Sequence, residues 1–148
     1  MKPRRWIVVG TDFSPASGPA LLRAAALASE LGAAVACTHA YEDAPGASPQ
    51  SDPTDALLVR LEEVAATVRA RFPNITVECF VRRGAPWEKL ANVACELGAD
   101  MIVVGTSGVH SRSNPRFVGS VVTRIAATSN RSILVVPDQD ATVLAAPL

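Results

Sequence analysis

The sequence predicts a single-domain α/β fold, in which helices cover both faces of an open parallel sheet. Five apolar, β-rich segments alternate with four segments of helical spacing, in the order β-α-β-α-β-α-β-α-β. Three of the five β segments are nearly continuous runs of Ile, Val and Leu, which is typical of strands buried on both faces. The chain has 148 residues, 49% of them hydrophobic, so we assign residues 1–148 to one domain. Its core is expected over about residues 4–137, followed by a tail at 138–148.

The strands are predicted at residues 5–11, 33–41, 75–81, 100–106 and 131–137. The first, fourth and fifth are the nearly continuous apolar runs. The third alternates through Ile75, Val77, Cys79 and Val81, as a more exposed strand would. The first and fourth are short and the richest in Ile and Val, so we expect them to be the central pair of the sheet.

The first helix carries an apolar stripe and ends at Gly32. The stripe consists of Leu21, Leu22, Ala25, Ala28 and Leu31, with Ala24 and Leu27 beside it. Two starts fit the sequence. Ser14 and Pro15 form a good N-cap and first-turn pair, whereas Ser17 as N-cap would place Pro19 at the second helical position.

Three further helices follow, and a linker-like segment at residues 43–53 precedes the first of them. The second helix is expected from 53 to 71, the third from 86 to 97 with Gly98 as its stop, and the fourth from Gly119. Their predicted inward residues are Leu57, Leu58, Leu61, Val64, Ala65 and Val68, then Leu90, Ala91, Val93 and Ala94, then Val121, Val122, Ile125 and Ala126.

Composition argues against several classes of function. Lys+Arg and Asp+Glu are 14 each, so bulk electrostatic binding of nucleic acid is not expected. The three cysteines form no CxxC motif and are interpreted as small core residues in a reducing compartment. His39 and His110 lie in no cluster with metal-ligand spacing. The apolar run at residues 6–9 is too short for a signal or membrane segment, which predicts a cytoplasmic protein without a membrane partner.

Polar, glycine-containing segments follow the two predicted central strands. Residues 10–14 read GTDFS and residues 105–108 read GTSG. Ligands of open parallel sheets bind beyond the carboxyl ends of the strands, so both segments are expected at one crevice. Gly119, Ser120 and Val121 would open the fourth helix, where free N–H groups favour phosphate.

Two interpretations fit these glycines. They could make tight turns after buried strands, or they could cradle a phosphate with hydroxyl donors from Thr106, Ser107 and Ser120. Asp12 would either accept hydrogen bonds from a ribose or an adenine amine, or cap the first helix turn. Neither GxxxxGK[ST] nor GxGxxG occurs in the chain.

The segments IVVGTDFS and ADMIVVGTSG…VGSVVTRIAATSNRSILVVP resemble the universal stress protein family, over about residues 4–137. The resemblance implies a cytoplasmic stress-response protein with a Rossmann-like, five-stranded parallel sheet of order 3-2-1-4-5. It also implies a homodimer formed through the last strand, here Ser132 to Val136, and regulation of a protein partner that the sequence does not identify.

One branch of this family binds ATP through the pattern G-2x-G-9x-G-[S/T]. Here Gly105, Gly108 and Gly119-Ser120 match it, with ten residues instead of nine before Gly119. The resemblance therefore implies ATP as ligand, together with Mg²⁺, with AMP as the alternative. The residues that it places at the adenosine are Gly10, Thr11 and Asp12, with Ala40 in the adenine pocket. Those that it places around the ribose and phosphates are Val104, Gly105, Gly108, Gly119, Ser120 and Val121, beside the Thr106 hydroxyl.

Two other functions stay open at this point. The longer loop, which contains Pro115, also fits a dimeric interaction module that binds no nucleotide. The third function is slow ATP hydrolysis, but no nucleophile–base pair and no paired carboxylates stand out, so we assign no catalytic residue.

Overall fold

A computed structural model describes residues 4–46, 48, 52–106 and 120–138 of the chain. Its strands are Trp6–Gly10 (β1), Ala34–Tyr41 (β2), Val77–Arg83 (β3), Met101–Gly105 (β4) and Ser132–Val136 (β5). Its helices are Gly18–Leu31 (α1), Thr54–Arg71 (α2), Pro86–Leu97 (α3) and Ser120–Thr128 (α4), and a 3₁₀ turn at Pro15–Ser17 precedes α1.

The five strands form one parallel sheet in the order β3-β2-β1-β4-β5, which confirms the predicted fold class. β1 lies in the middle of the sheet. In the register, Val9 stands beside Cys37 of β2 on one side and Val103 of β4 on the other. The two strands predicted to be a central pair are therefore neighbours.

Side chains alternate between the two faces of β1 and divide the core into two halves. Ile7 and Val9 pack with α1 and α2, whereas Trp6 and Val8 pack with α3 and α4. Ile7, Val8 and Val9 are at most 1% exposed, so β1 is covered on both faces, as its continuous apolar run predicts.

Both alternatives for the start of the first helix describe part of the structure. Pro15–Ser17 is a separate 3₁₀ turn that follows Ser14, and α1 itself begins at Gly18 with Ser17 as N-cap. α1 ends at Gly32, whose φ of 67° is the left-handed conformation that glycine adopts readily.

Several details of the predicted strands and helices are wrong. β3 begins at Val77 instead of residue 75, because Ile75 N–H donates to the Phe72 carbonyl and the chain is still turning there. Leu58 is 37% exposed, since α2 packs mainly on the edge strand β3 and buries only a narrow line of Leu61, Ala65 and Val68. Leu31 at the end of α1 is 44% exposed. Ala126 is also exposed, because it lies one helical step from the buried Ile125.

Candidate functional site

Thr11 anchors the segment that leaves β1. Its N–H donates to the Thr38 carbonyl at 2.9 Å, and its hydroxyl lies 2.9 Å from that of Ser17 in the 3₁₀ turn. The same hydroxyl accepts the Phe13 N–H at 3.1 Å. Only 7% of the Thr11 surface is exposed, so its side chain supports the segment from inside the fold. The Thr11 backbone sets the direction in which the chain leaves β1.

Asp12 is exposed at the carboxyl end of β1 and accepts hydrogen bonds from the chain that follows it. Its Oδ1 accepts both the Ser14 N–H, at 2.9 Å, and the Ser14 hydroxyl, at 2.5 Å. This is the turn that aspartate side chains make with the backbone two residues ahead. Asp12 thus forms a turn with Ser14 ahead of the 3₁₀ turn and does not itself cap a helix, and this turn fixes the direction of its exposed carboxylate.

Phe13 has a φ of 65°, the only positive φ recorded for a non-glycine residue among the described residues. Such a conformation costs about 1–3 kcal/mol and persists only where neighbouring groups impose it. Here the neighbours are the His39 ring, with its centroid at 4.3 Å from that of Phe13, and the Arg60 guanidinium, 4.2 Å from the Phe13 centroid.

Gly10 and Gly105 end the two central strands, and packing explains both glycines. A Cβ at Gly10 would lie 2.9 Å from Cδ1 of Leu90 on α3. A Cβ at Gly105 would lie 3.2 Å from the Ala16 carbonyl oxygen of the 3₁₀ turn. The turn that follows β1 therefore rests directly on the end of β4, and only a residue without a side chain allows this approach without displacement.

These contacts bring most of the predicted site residues to one edge of the sheet. Asp12 and the Thr11 backbone follow β1, Ala40 lies half-buried near the end of β2, and Thr106 follows β4. Val104 is buried in the sheet itself, 5% exposed. At the start of α4, Ser120 is exposed and Val121 half-buried. Gly108, Gly119 and the loop between them lie outside the described residues.

Two residues that the sequence analysis did not assign to the site contact this edge. His39 Nδ1 lies 2.8 Å from the Thr11 carbonyl oxygen, and Arg60 of α2 stacks on Phe13. His39 precedes the predicted pocket residue Ala40, which is the one signal in the sequence that points to it. The contact with Thr11 spans 28 positions and depends on the pairing of β1 with β2, so local pattern could not reveal it.

Polar contacts also anchor the connection between β2 and α2 beside this edge. The Tyr41 hydroxyl lies 2.8 Å from that of Thr54, and Arg83 forms an ion pair with Asp43. Hydrogen bonds from the Thr54 hydroxyl and N–H, which favour the charged carboxylate, hold the pKa of Asp52 below its usual value. Both ends of this connection are thus tied to the sheet or to α2.

Within the described part of the chain, no three His, Cys, Asp or Glu side chains converge to hold a metal ion. None of the described helices combines the length and the apolar composition that crossing a bilayer requires.

Residues 3–137 match the model of the universal stress protein family. Two universal stress proteins of Mycobacterium tuberculosis, from strains CDC 1551 and H37Rv, are each 31% identical over 144 residues. The alignment spans 92% of this chain and 98% of each relative.

Solved structures give the same result. A universal stress protein in complex with cAMP is 30% identical, with a TM-score of 0.67, and the match covers 93% of this chain and all of that one. The universal stress protein of Archaeoglobus fulgidus in complex with dAMP has a TM-score of 0.70 over 91% of this chain and 99% of its own. At 21% identity, the second likeness establishes the fold alone.

Proposed function

This chain belongs to the universal stress protein family, and we propose that it binds an adenine nucleotide across the carboxyl ends of β1 and β4. The ligand that we propose is ATP with Mg²⁺, with AMP as the alternative. The function that we propose is that of a stress-response dimer whose interaction with a protein partner depends on the bound nucleotide.

One observation carries this proposal: the polar segment after β1 packs on Gly105 at the end of β4, so the described residues that follow both strands lie at one edge of the sheet. The 3₁₀ turn that follows Asp12 packs on Gly105, and the exposed Asp12 carboxylate stands at the same edge as Thr106. A hydrogen-bond acceptor near β1 and hydroxyl and backbone donors near β4 and α4 match the two ends of a mononucleotide. The carboxyl edge of adjacent parallel strands is also where open α/β sheets bind ligands.

The class of nucleotide is supported by the relative that is 30% identical, since that protein forms a complex with cAMP. Ala40 offers a small side chain near the end of β2, beside the segment that carries Asp12. A small side chain leaves room for a flat base against the end of the sheet. The Asp12 carboxylate would accept a hydrogen bond from a ribose hydroxyl or the adenine amine.

The phosphate end of the proposed ligand would lie at the start of α4. Ser120 is exposed in the first turn of this nine-residue helix, where unpaired N–H groups and the helix dipole favour an anion. Because the described residues hold no metal cluster, Mg²⁺ would enter with the phosphates, which is how it commonly binds in nucleotide sites.

Calorimetric titration of the purified, nucleotide-free protein with Mg-ATP, AMP and cAMP tests the proposal. Saturable binding with one site per chain is the expected result. If the folded protein takes up none of the three ligands, the proposal fails, and this result favours the dimeric interaction module.

Asp12→Asn tests the end of the site at which we propose that the adenosine binds. Asparagine keeps an oxygen for the turn with Ser14 but places an amide donor where aspartate has its second acceptor. If that acceptor binds the ligand, affinity for Mg-ATP should fall roughly 10- to 100-fold, as for loss of a hydrogen bond to a charged group. The melting temperature without ligand should change little.

Asp43→Asn is the matched control, because it removes the same charge from an exposed loop that is paired with Arg83. It should bind Mg-ATP as the wild type does, since exposed ion pairs contribute little. Equal affinity of both variants and the wild type would exclude Asp12 as a ligand-binding residue.

A further inference from the structure

The chain segment that carries Asp12 is held by His39 from the neighbouring strand. His39 Nδ1 lies 2.8 Å from the Thr11 carbonyl oxygen, and a carbonyl can only accept, so Nδ1 carries the proton. Thr11 also donates its own N–H to the Thr38 carbonyl at 2.9 Å. Residues 38 and 39 of β2 thus bind both backbone polar groups of Thr11, immediately before Asp12.

Phe13, which follows Asp12, is held by contacts of its ring with two neighbouring side chains. The ring of Phe13 contacts the His39 ring at a centroid distance of 4.3 Å and an interplanar angle of 43°. The Arg60 guanidinium lies 4.2 Å from the Phe13 centroid, a cation–π contact that links the segment to α2. Phe13 has a positive φ, which is unfavourable for a residue with a side chain, and these ring contacts act together with the hydrogen bond from the Phe13 N–H to the Thr11 hydroxyl.

We propose that His39 is a positioning residue for the nucleotide site: its hydrogen bond to the Thr11 carbonyl fixes the backbone immediately before Asp12, and thereby the position of the Asp12 carboxylate. This inference rests on the proposed function. His39 does not need to touch the nucleotide. It holds Asp12 in place before the ligand arrives, so the ligand need not order this segment on binding.

Two substitutions separate the hydrogen bond of His39 from its ring. His39→Asn keeps a side-chain N–H near the position of Nδ1, whereas His39→Phe keeps an aromatic ring against Phe13 and removes the donor. His39→Phe should weaken nucleotide binding by roughly 3- to 10-fold, as for loss of one hydrogen bond. His39→Asn should stay within about twofold of the wild type, because the donor is retained.

The choice of ligands distinguishes positioning of Asp12 from general damage to the site. Because Asp12 would serve the adenosine end, His39→Phe should weaken adenosine, AMP and Mg-ATP by the same factor. Ser120→Ala, at the phosphate end, should weaken Mg-ATP and leave adenosine unchanged. If His39→Phe binds all three ligands like the wild type, or if His39→Asn loses as much affinity as His39→Phe, the inference is overturned.

One further measurement uses only the wild-type protein, so its result does not depend on whether a variant folds. The ¹⁵N shifts of the His39 ring, recorded at a pH where the ring is neutral, should show the proton on Nδ1, both without and with nucleotide. A proton on Nε2 would overturn the inference. Absence of nucleotide binding by the wild type would instead defeat the proposed function, and the ring shifts would still report on the hydrogen bond.

Discussion

At the scale of single residues, burial separates the cysteine thiols into two kinds. Burial is the largest factor that raises the pKa of Cys37 and of Cys79, each to about 12. Neighbouring charge adds to the effect, chiefly from the Glu62 carboxylate at Cys79. Cys95, which was also predicted to be a core residue, is exposed on α3. Because the thiolate is the reactive form, the first two thiols should be inert.

This difference predicts the result of a thiol titration. With an aromatic disulfide reagent at pH 8, the native protein should release one equivalent of chromophore quickly, from Cys95, and all three only after denaturation. Cys95→Ser should abolish the fast reaction and serves as the control. Rapid reaction of two or three thiols in the folded protein would contradict the burial of Cys37 and the raised pKa of the half-buried Cys79.

Residue-level features were the hardest to predict from the sequence. The composition of residues 10–14 indicated a polar segment at a strand end, and Asp12 could be assigned two roles. The turn that Asp12 forms depends on the position of Ser14, and the contact of His39 with Thr11 depends on the pairing of β1 with β2. Both are three-dimensional relations between residues, and a pattern along the chain does not contain them.

At the scale of secondary structure, the glycine at the end of α1 should contribute measurably to the free energy of unfolding. Gly32 ends α1 with a φ of 67°, and nothing lies within 4 Å of a Cβ added there. Gly32→Ala should therefore lower the free energy of unfolding by about 1–2 kcal/mol, the cost of the left-handed conformation for an L-residue. Chemical denaturation monitored by circular dichroism measures it.

Gly18→Ala is the matched control for that prediction. Gly18 also has open space around a Cβ, but its φ of −57° and ψ of −52° suit any residue. This substitution should be neutral or should stabilise the protein by up to about 1 kcal/mol. A similar loss of stability in both variants would show that conformation at Gly32 is not the cause.

Helix ends marked by glycine or proline were predicted well. α3 spans Pro86–Leu97, the predicted range, because Pro86 suits the first turn and Gly98 adopts the left-handed conformation at its end. β3 was predicted two residues too early at both ends, although Gly84 directly follows its last residue. The first residue of β3, Val77, pairs with Val35 of β2. The start of β3 is therefore set by its pairing in the sheet.

At the scale of the whole molecule, β5 leaves a partly covered apolar edge. Ile133, Leu134 and Val135 are each only half-buried, although they alternate between the two faces of the core. An apolar edge strand of this kind exposes unpaired backbone groups and requires a cover. A second copy of the chain is the cover that we propose.

Val135→Lys should convert the proposed dimer to a monomer, because a lysine on an edge strand opposes edge association. Sedimentation equilibrium measures the mass. Val81→Lys is the control: Val81 is a half-buried valine on the opposite edge strand, β3, and its replacement should not change the oligomeric state. Dissociation by both variants would indicate unfolding, and dissociation by Val81→Lys alone would place the interface at β3.

The central position of β1 has a consequence for the ribosome-bound chain. β1 is made first, but one of its two neighbours, β4, starts only at Met101. At the usual 5–20 residues per second, the residues from 11 to 101 take roughly 5–20 s to translate. During that interval the edge of β1 that will receive β4 is open, and only the β2 side can pair. The proposed nucleotide site includes the end of β4, so a nascent chain arrested before β4 should fail to bind the nucleotide.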